Sequence, residues 1–384
     1  MKFGWDCVPI GSIAERIDRP EPPIAGQSYR QIGVRLWGEG AYERETIDGG
    51  DTKYKFLNKV ESGDIIVNKI WARNGSVSLV TPELAGCYCS GEFPLFLPNK
   101  EKINPKWFFW ITKTRWFWNL CDEKSRGTSG KNRIKPEKFL DINIPLPPLS
   151  VQDEIVSKIE NLSLKSGLIN ELRESLLIDA QAMLSSAFHK LIEDAVYKPM
   201  SKVAPLERRK VEIDVNAEYP ELGVRCFGNG TFHKPILDGM DVGTKKLYQM
   251  VPGDLVFSNV FAWEGAIAVV KKEDEGRVGS HRFITCLPKS GVVTADFLCF
   301  YFLTTEGLEK IQAASPGGAG RNRTLGLKKL ENIEVPVPDY DKQLWFNQLQ
   351  SYVEKIKQAQ SENATELEAL MPSILDKAFK GELV

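Results

Sequence analysis

Short apolar runs alternate with turn-forming residues over about residues 1–148, and again over about 195–338. Each run is short, contains β-branched side chains and is bounded by Gly, Pro or Asp, a pattern typical of buried strands. The clearest runs are 64–67, 77–80 and 93–97, and then 254–257, 266–270 and 283–287. One helix is predicted in each region, at about 105–120 and 295–313. Each region therefore predicts a globule of mixed α/β structure.

The segments that follow these two regions have the pattern of long helices. Prolines at 145, 147 and 148 stop the preceding strand, Ser150 is placed to cap a helix, and the next proline is Pro199. Apolar or small residues then recur every three or four positions, as in a narrow coiled-coil seam, which is interrupted by Arg173 in the first segment and by Gln360 and Asn363 in the second. The recurring residues are Ile155, Ile159, Leu162, Ser166, Ile169, Leu176, Ala180, Met183 and Ala187, and in the second segment Phe346, Leu349, Val353, Ile356, Leu367, Leu370 and Ile374.

Narrow seams of this length favour two helices that pair with each other, and the alternative is that each helix packs on its own domain. We expect an antiparallel pair, with the helices starting near Ser150 and Asp341. Pro372 is expected to kink the second helix locally.

An internal repeat organises the chain, because the second half matches the first at a nearly constant offset that lengthens by one position near the end. Gly38 and Gly40 return as Gly228 and Gly230, Gly63-Asp64 returns as Gly253-Asp254, and the segment 130–133 returns as 320–323. A period this long is a duplicated domain with its connector. We predict similar domains at 1–148 and 195–340, long helices at 149–194 and 341–384, and an internal pseudo-two-fold axis.

Composition and charge add limits to this picture. The chain is 42% hydrophobic, and 50 Lys and Arg face 51 Asp and Glu, a balance that neither requires nor excludes a nucleic-acid partner. Seven cysteines, an odd number without a C-x-x-C pair, indicate free thiols in a reducing compartment, so we expect a cytoplasmic protein. Neither a secretory signal nor a membrane-spanning run is visible in the sequence.

Signatures of catalysis and of cofactor binding are missing from the sequence. It has no G-x-x-x-x-G-K-[ST] loop, no G-x-S-x-G elbow and no glycine-rich adenosylmethionine loop. Its three histidines are scattered, and Cys87 and Cys89 have no second Cys or His pair nearby. We therefore expect a non-catalytic chain without a cofactor or a metal.

Two glycine-rich basic loops precede the Pro-x-Pro segments. Glycine lets the backbone approach a phosphate or a base edge, Arg and Lys contact phosphates, and Arg and Asn match the edges of guanine and adenine. Recurrence at the same offset favours DNA contact over an idle surface loop. The candidate residues are Arg126, Lys131, Asn132, Arg133 and Lys135 in the first copy, and Arg321, Asn322, Arg323 and Lys328 in the second.

A second candidate surface follows the Gly-Asp strand of each copy. It comprises Asn68, Lys69, Trp71 and Arg73 in the first copy, and Ser258, Asn259, Trp263 and Glu264 in the second. Lys69, Arg73 and Asn259 are our candidates for DNA contact here. The alternative is that the tryptophans belong to the core and their polar neighbours only to a turn.

Two motifs resemble those of the specificity (S) subunits of type I restriction–modification systems. One is the segment 144–152, Ile-Pro-Leu-Pro-Pro-Leu-Ser-Val-Gln, which leads into a long helix, and the other is the ending 373–383. Together with the duplication, the resemblance covers essentially the full length. The second copy departs from the family pattern, since Asp339-Tyr340-Asp341 replaces Pro-Leu-Ser and Pro372 interrupts the last helix.

The resemblance implies two target-recognition domains that bind a split target in double-stranded DNA. It also implies that the paired helices set the spacing and dock two DNA methyltransferase subunits, which carry the cofactor and the catalysis, while a restriction subunit joins for cleavage. Two alternatives remain at this point: the specificity chain of a related type II-like system, and a protein-interaction scaffold with paired domains.

Overall fold

The computed structural model describes residues 4–125, 132–317 and 323–383. It divides into two compact units, of which unit 1 comprises Met1–Arg173 with Ser361–Val384, and unit 2 comprises Glu174–Gln360. Both units combine strands and helices, which confirms the predicted mixed α/β class. The four predicted segment boundaries stay a prediction.

Unit 1 packs its strands into small sheets beside three short helices and parts of two long ones. The sheets have the orders β1-β11, β2-β10-β7-β8 and β3-β6-β9-β4-β5. The elements are β1 Cys7–Pro9, β2 Ala14–Ile17, β3 Pro20–Glu21, β4 Ser28–Val34, β5 Ala41–Asp48, β6 Leu57–Lys59, β7 Ile65–Val67, β8 Val77–Leu79, β9 Tyr88–Cys89, β10 Leu95–Pro98, α1 Pro105–Thr112, α2 Arg115–Ser125, α3 Pro136–Leu140, β11 Asn143–Pro145 and α4 Leu149–Ile192.

Unit 2 repeats this arrangement, with sheets in the orders β12-β21, β18-β17-β20 and β13-β16-β19-β14-β15. In place of β2, it has an isolated bridge between Leu206 and Cys286. The elements are β12 Val196–Pro199, α5 Met200–Val203, β13 Arg209–Lys210, β14 Glu218–Val224, β15 Thr231–Asp238, α6 Gly239–Val242, β16 Leu247–Gln249, β17 Leu255–Ser258, β18 Ile267–Val269, β19 Val278–Ser280, β20 Phe283–Cys286, α7 Ala295–Leu303, α8 Thr305–Ala314, α9 Leu327–Glu331, β21 Glu334–Val337 and α10 Tyr340–Lys380.

The prediction of a single helix in each region is wrong, because two short helices lie in its place. α1 ends at Thr112 and α2 begins at Arg115, while α7 ends at Leu303 and α8 begins at Thr305. In unit 2 the Thr304 hydroxyl accepts a hydrogen bond from the Gly307 amide, so it caps a new helix where a continuous one was expected.

The predicted N-cap of the first long helix is wrong. α4 starts at Leu149, so Ser150 lies inside the helix and is not its cap. The Pro148 carbonyl instead accepts the amides of Val151 and Gln152, which closes the first turn. α10 starts at Tyr340 and continues through Pro372 to Lys380.

The helix ends pair in opposite directions, as the seam pattern predicted. In unit 1 the beginning of α4 shares a core with the end of α10, where Lys158 Nζ donates to the Leu383 carbonyl at 3.1 Å. In unit 2 the end of α4 meets the beginning of α10, where the rings of Phe188 and Phe346 lie 5.5 Å apart. The start of α4 lies beside the end of α10 in unit 1, and the end of α4 lies beside the start of α10 in unit 2. The two long helices therefore run antiparallel.

The predicted seam is buried near the helix ends and at Ser166, and several of its other residues are exposed. Ile155, Ile159 and Ala180 are buried, as are Phe346, Val353 and Ile374, and each of them also belongs to the hydrophobic core of a unit. Ile169, Leu176, Met183 and Leu370 are exposed. Burial thus depends on the sheets and short helices of each unit as well as on the other long helix, which a seam pattern alone does not report.

A buried glutamine joins each long helix to its unit. Gln152 Oε1 accepts the amide of Asn104, and its Nε2 donates to the carbonyls of Lys102 and Pro147 at 3.2 and 2.8 Å. Gln343, its counterpart in the second copy, accepts from Thr294 and donates to the carbonyls of Val292 and Pro338. The glutamine of the Pro-Pro-Leu-Ser-Val-Gln segment is therefore a structural cross-link.

We expect Gln152→Ala to lower the stability of unit 1 by about 2 kcal/mol, because three backbone groups lose the partner that the buried glutamine provides. Gln152→Glu is the matched control: it retains the acceptor but cannot donate to the two carbonyls, so it should be destabilising as well. Amide hydrogen exchange of α1, next to Asn104, measures the loss in unit 1. Protection equal to that of the unmodified chain in both variants would show that the cross-link contributes little.

Candidate nucleic-acid interface

The two candidate surfaces lie together in each unit. The Ile134 amide donates to the Lys69 carbonyl at 2.9 Å, and the Leu325 amide donates to the Asn259 carbonyl at 2.7 Å. Ile134 and Leu325 are buried, so they anchor the end of each glycine-rich loop beside the segment that follows β7 or β17. The glycine-rich loop and the segment after β7 or β17 were predicted as two separate surfaces, whereas in the fold they form one surface in each unit.

The anchored residues also locate the point where the repeat shifts. Arg323 corresponds to Arg133 at the same offset that relates the earlier motifs, while Leu325 lies one position later than that offset would place the counterpart of Ile134. The additional residue is therefore Thr324, which directly follows the candidate arginine of unit 2.

In unit 1 the basic side chains share one acidic partner. Glu92 lies 3.1 Å from Arg133 Nη1 and 3.5 Å from Lys69 Nζ, and its carbonyl accepts the Lys69 amide. Half of the Arg133 side chain is exposed to solvent. This ion pair holds two cations at the surface and neutralises part of their charge.

In unit 2 the corresponding position is occupied by a cation. Arg282 is the counterpart of Glu92 in the repeat, and its carbonyl accepts the Asn259 amide at 2.8 Å. The Arg323 guanidinium lies over the Trp263 ring at 5.2 Å. Asn259 Oδ1 is a buried acceptor that has no hydrogen-bond partner among the residues that the structure describes. The arginine of the loop therefore has an acidic neighbour at this position in unit 1 and a basic one in unit 2.

The two tryptophans of the second candidate surface, Trp71 and Trp263, do not occupy equivalent positions of the repeat. Each unit has a short 3-10 turn here, Ala72–Asn74 or Ala262–Glu264, preceded by Trp71 or by Phe261. Trp71 thus matches Phe261, and Arg73 matches Trp263. Both Trp71 and Phe261 are exposed, so these aromatic residues are not core residues.

The other candidate residues are placed less specifically. Arg73 lies 6.0 Å from the Trp71 ring, Asn132 is half-buried, and Lys135 and Lys328 are exposed. Lys135 directly precedes α3, and Lys328 lies within α9. Arg126, Lys131, Arg321 and Asn322 lie outside the described residues, so their part in the interface stays a prediction.

Sequence reasoning missed the tips of the β4–β5 and β14–β15 hairpins. Each tip carries an exposed aromatic residue, Trp37 or Phe227, next to the 3-10 turn. The repeated pair of glycines, Gly38 and Gly40 or Gly228 and Gly230, is the signal in the sequence that marks these tips.

The cysteines are placed as structural residues. Burial raises the pKa of the Cys89 and Cys286 thiols to about 12, so both are protonated at neutral pH.

Within the described residues, no group of three His, Cys, Asp or Glu side chains is placed to hold a metal ion. In the same part of the chain, no helix is both long and apolar enough to cross a membrane.

Comparison with known proteins gives one consistent family. The type I restriction modification DNA specificity domain matches residues 4–177. The StySPI specificity subunit of Salmonella potsdam is 23% identical over 363 residues, 86% of this chain and 76% of the relative. The MjaVIII specificity subunit of Methanocaldococcus jannaschii is 21% identical over 410 residues, 99% of this chain and 93% of the relative.

Solved structures share the fold. The HsdS subunit from Thermoanaerobacter tengcongensis has a TM-score of 0.67 and 21% identity, over 99% of this chain and 97% of that one. A chain from a study of complex assembly in a type I R-M system has a TM-score of 0.66 and 20% identity, over the full length of both chains. The matched domain and the two relatives make this chain similar in sequence to the specificity subunits of type I restriction–modification systems, and the solved structures share its fold over nearly the whole length.

Proposed function

We propose that each unit reads one part of a split target in double-stranded DNA, through the surface formed by its glycine-rich loop and the segment after β7 or β17. The observation that carries this proposal is the repeated backbone hydrogen bond, from Ile134 to Lys69 and from Leu325 to Asn259. This hydrogen bond holds the backbone of the loop and of the neighbouring segment in the same arrangement in both units, while the side chains on that backbone differ. A common scaffold with different side chains suits two readers of different base sequences.

The chemistry of the two surfaces supports this division. Arg323 and Arg133 suit phosphates and guanine, and the unpartnered Asn259 Oδ1 is an acceptor that a base or a water molecule would satisfy. Glu92 can accept from the amino group of cytosine if its two cations turn to phosphates. The residues Arg126, Lys131, Asn132, Lys135, Arg321, Asn322, Lys328, Lys69 and Arg73 complete the proposed contacts.

The long helices are the proposed docking surface for two DNA methyltransferase subunits, with a restriction subunit joining the assembly. Leu164, Leu168 and Leu172 are exposed on the unit 1 part of α4, and Trp345 and Tyr352 are exposed on the unit 2 part of α10. Contiguous exposed apolar side chains of this kind mark protein-binding surfaces in water-exposed helices.

The assembled complex should bind its target duplex more tightly than unrelated duplexes, with affinity that falls steeply as salt is raised. Cells that contain the complex should carry adenine methylation at a two-part sequence, and cells that lack this chain should not. Methylation sequencing with and without the chain tests this directly. Unchanged methylation on removal of the chain, or binding without salt dependence, would favour the protein-scaffold alternative.

A further inference from the structure

Each unit presents an exposed aromatic side chain on a backbone that disfavours it. Trp37 and Phe227 have φ angles of 59° and 60°, and in the described part of the chain no other non-glycine residue has a positive φ. Their side chains are 57% and 78% exposed. Bulky side chains in the left-handed region cost free energy relative to glycine, and such strain is typical of functional positions. Burial in the core does not explain why the residue is aromatic.

The surrounding structure holds this conformation in the same way in both units. The Trp37 amide donates to the Asn74 carbonyl at 2.6 Å, and the Phe227 amide donates to the Glu264 carbonyl at 2.9 Å. The glycine that follows each of them donates to Gly75 or to Gly265. The hairpin tip is thereby fixed to the 3-10 turn that carries Trp71 and Arg73, or Phe261 and Trp263.

The short helices support each tip from behind. In unit 1 Lys113 Nζ, at the end of α1, donates to the Gly38 carbonyl at 2.7 Å. In unit 2 Leu303, at the end of α7, occupies this place, and a Cβ added at Gly228 would lie 2.7 Å from its Cδ1 atom. Different contacts thus maintain one geometry, which places the aromatic ring outward.

Basic side chains flank both tips and define the kind of partner. The Arg35 guanidinium lies 4.6 Å above the Tyr42 ring, and the Arg225 guanidinium lies 5.0 Å above the Phe232 ring. An exposed aromatic ring two residues from an arginine suits a polyanion that also offers flat apolar surfaces. Duplex DNA meets both requirements through its phosphates and its base steps.

We propose that Trp37 and Phe227 are wedges that press against a base step of the half-site bound by their own unit. This inference rests on the proposed function and adds residues that the basic loops do not include. Insertion of an apolar side chain partly unstacks a step, and the cost depends on the sequence of that step. Each wedge would therefore contribute to sequence preference without a hydrogen bond to a base.

Glycine variants separate this role from a structural one. Trp37→Gly and Phe227→Gly remove the ring and relieve the backbone. In Trp37→Gly this relief offsets the lost contact with the Trp118 ring, whose centroid lies 5.8 Å away, so the melting temperature of neither variant should fall. Binding of the assembled complex to its target should fall by about fivefold or more. Trp37→Phe should retain most of the affinity. The controls Ile24→Ala and Val215→Ala remove exposed apolar side chains beside Gly49 and Gly239, at the other ends of the same hairpins, and should bind normally.

A base analogue gives the second readout. Duplexes with 2-aminopurine at successive positions of the target should show a fluorescence rise at one step per half-site, and each glycine variant should abolish the rise in its own half-site only. Normal binding and an unchanged rise in both variants would overturn the wedge. So would a fall in melting temperature that accompanies the loss of binding. If the unmodified complex shows no preference for any duplex, the proposed function itself fails.

Discussion

Replacement of Arg209 by methionine is expected to lower the free energy of unfolding of unit 2 by about 3–5 kcal/mol. Arg209 Nη1 and Nη2 donate to the two oxygens of Asp254 at 2.6 and 3.1 Å. The Asp254 side chain is fully buried and also accepts the amide of Val251 at 3.0 Å. Without the guanidinium, this carboxylate remains in the core as an uncompensated charge.

Unit 1 contains the same ion pair at the corresponding positions of the repeat. Arg19 Nη1 and Nη2 donate to Asp64 at 2.6 and 3.1 Å, and Asp64 accepts the Glu61 amide at 2.8 Å. Arg19→Met should therefore destabilise unit 1 to a similar degree. The duplicated Gly-Asp motif is thus explained by folding, since its carboxylate joins the strand β7 or β17 to a distant arginine.

Amide hydrogen exchange in β17 measures the effect within unit 2. The double variant Arg209→Met/Asp254→Asn should recover part of the loss, because a neutral amide needs no counter-charge. Asp254→Asn alone should cost less than Arg209→Met, since Arg209 is partly exposed. A loss below about 1 kcal/mol for Arg209→Met, as for a surface pair, would contradict this account.

Arg323→Ala is expected to weaken binding of the assembled complex to its target by up to about 100-fold, and Arg133→Ala by less. Arg323 lies over Trp263, and in unit 2 the cation Arg282 replaces the acid that competes for the guanidinium in unit 1. Arg133 is already paired with Glu92, and part of its attraction for phosphate is offset. The difference follows from local charge and not from the backbone, which is the same in both units.

Binding at two salt concentrations distinguishes the kinds of contact. Loss of a phosphate contact reduces the salt slope by about 1 and affects all sequences, whereas loss of a base contact relaxes one position. Glu92→Gln is the control for unit 1: it should raise affinity for unrelated duplexes and steepen the salt dependence, because Lys69 and Arg133 are released to contact phosphates. Unchanged affinity and slope in Arg323→Ala would show that this loop is an idle surface.

The fold could be predicted from the sequence to the extent that it depends on local patterns and on the repeat. The strands near 65–67, 77–79 and 255–258 and the long helices follow from apolar runs and from the absence of proline. The division between α7 and α8 was missed, because a single threonine cap, Thr304, is a weak signal next to an apolar segment. The exposure of several seam residues in the long helices was missed, because the spacing of apolar residues does not show which of them are buried by a sheet.

The residues of the candidate surface could be predicted from the sequence, but the way the fold brings them together could not. Glycines and arginines marked the loops, yet their contact with Lys69 and Asn259 joins positions that lie far apart in the sequence. The pair of Arg209 with Asp254 and the place of Trp37 and Phe227 depend equally on tertiary packing. Two aromatic residues that hold the same unusual φ angle are visible only in the structure.

Selection of bound sequences from random duplexes tests the central claim, that each unit reads its own part of the target. The unmodified complex should select two short motifs separated by a fixed number of unspecified bases. Arg133→Ala should relax only one of these motifs, and Arg323→Ala only the other. An undivided motif, or relaxation of both parts by either single substitution, would contradict the claim.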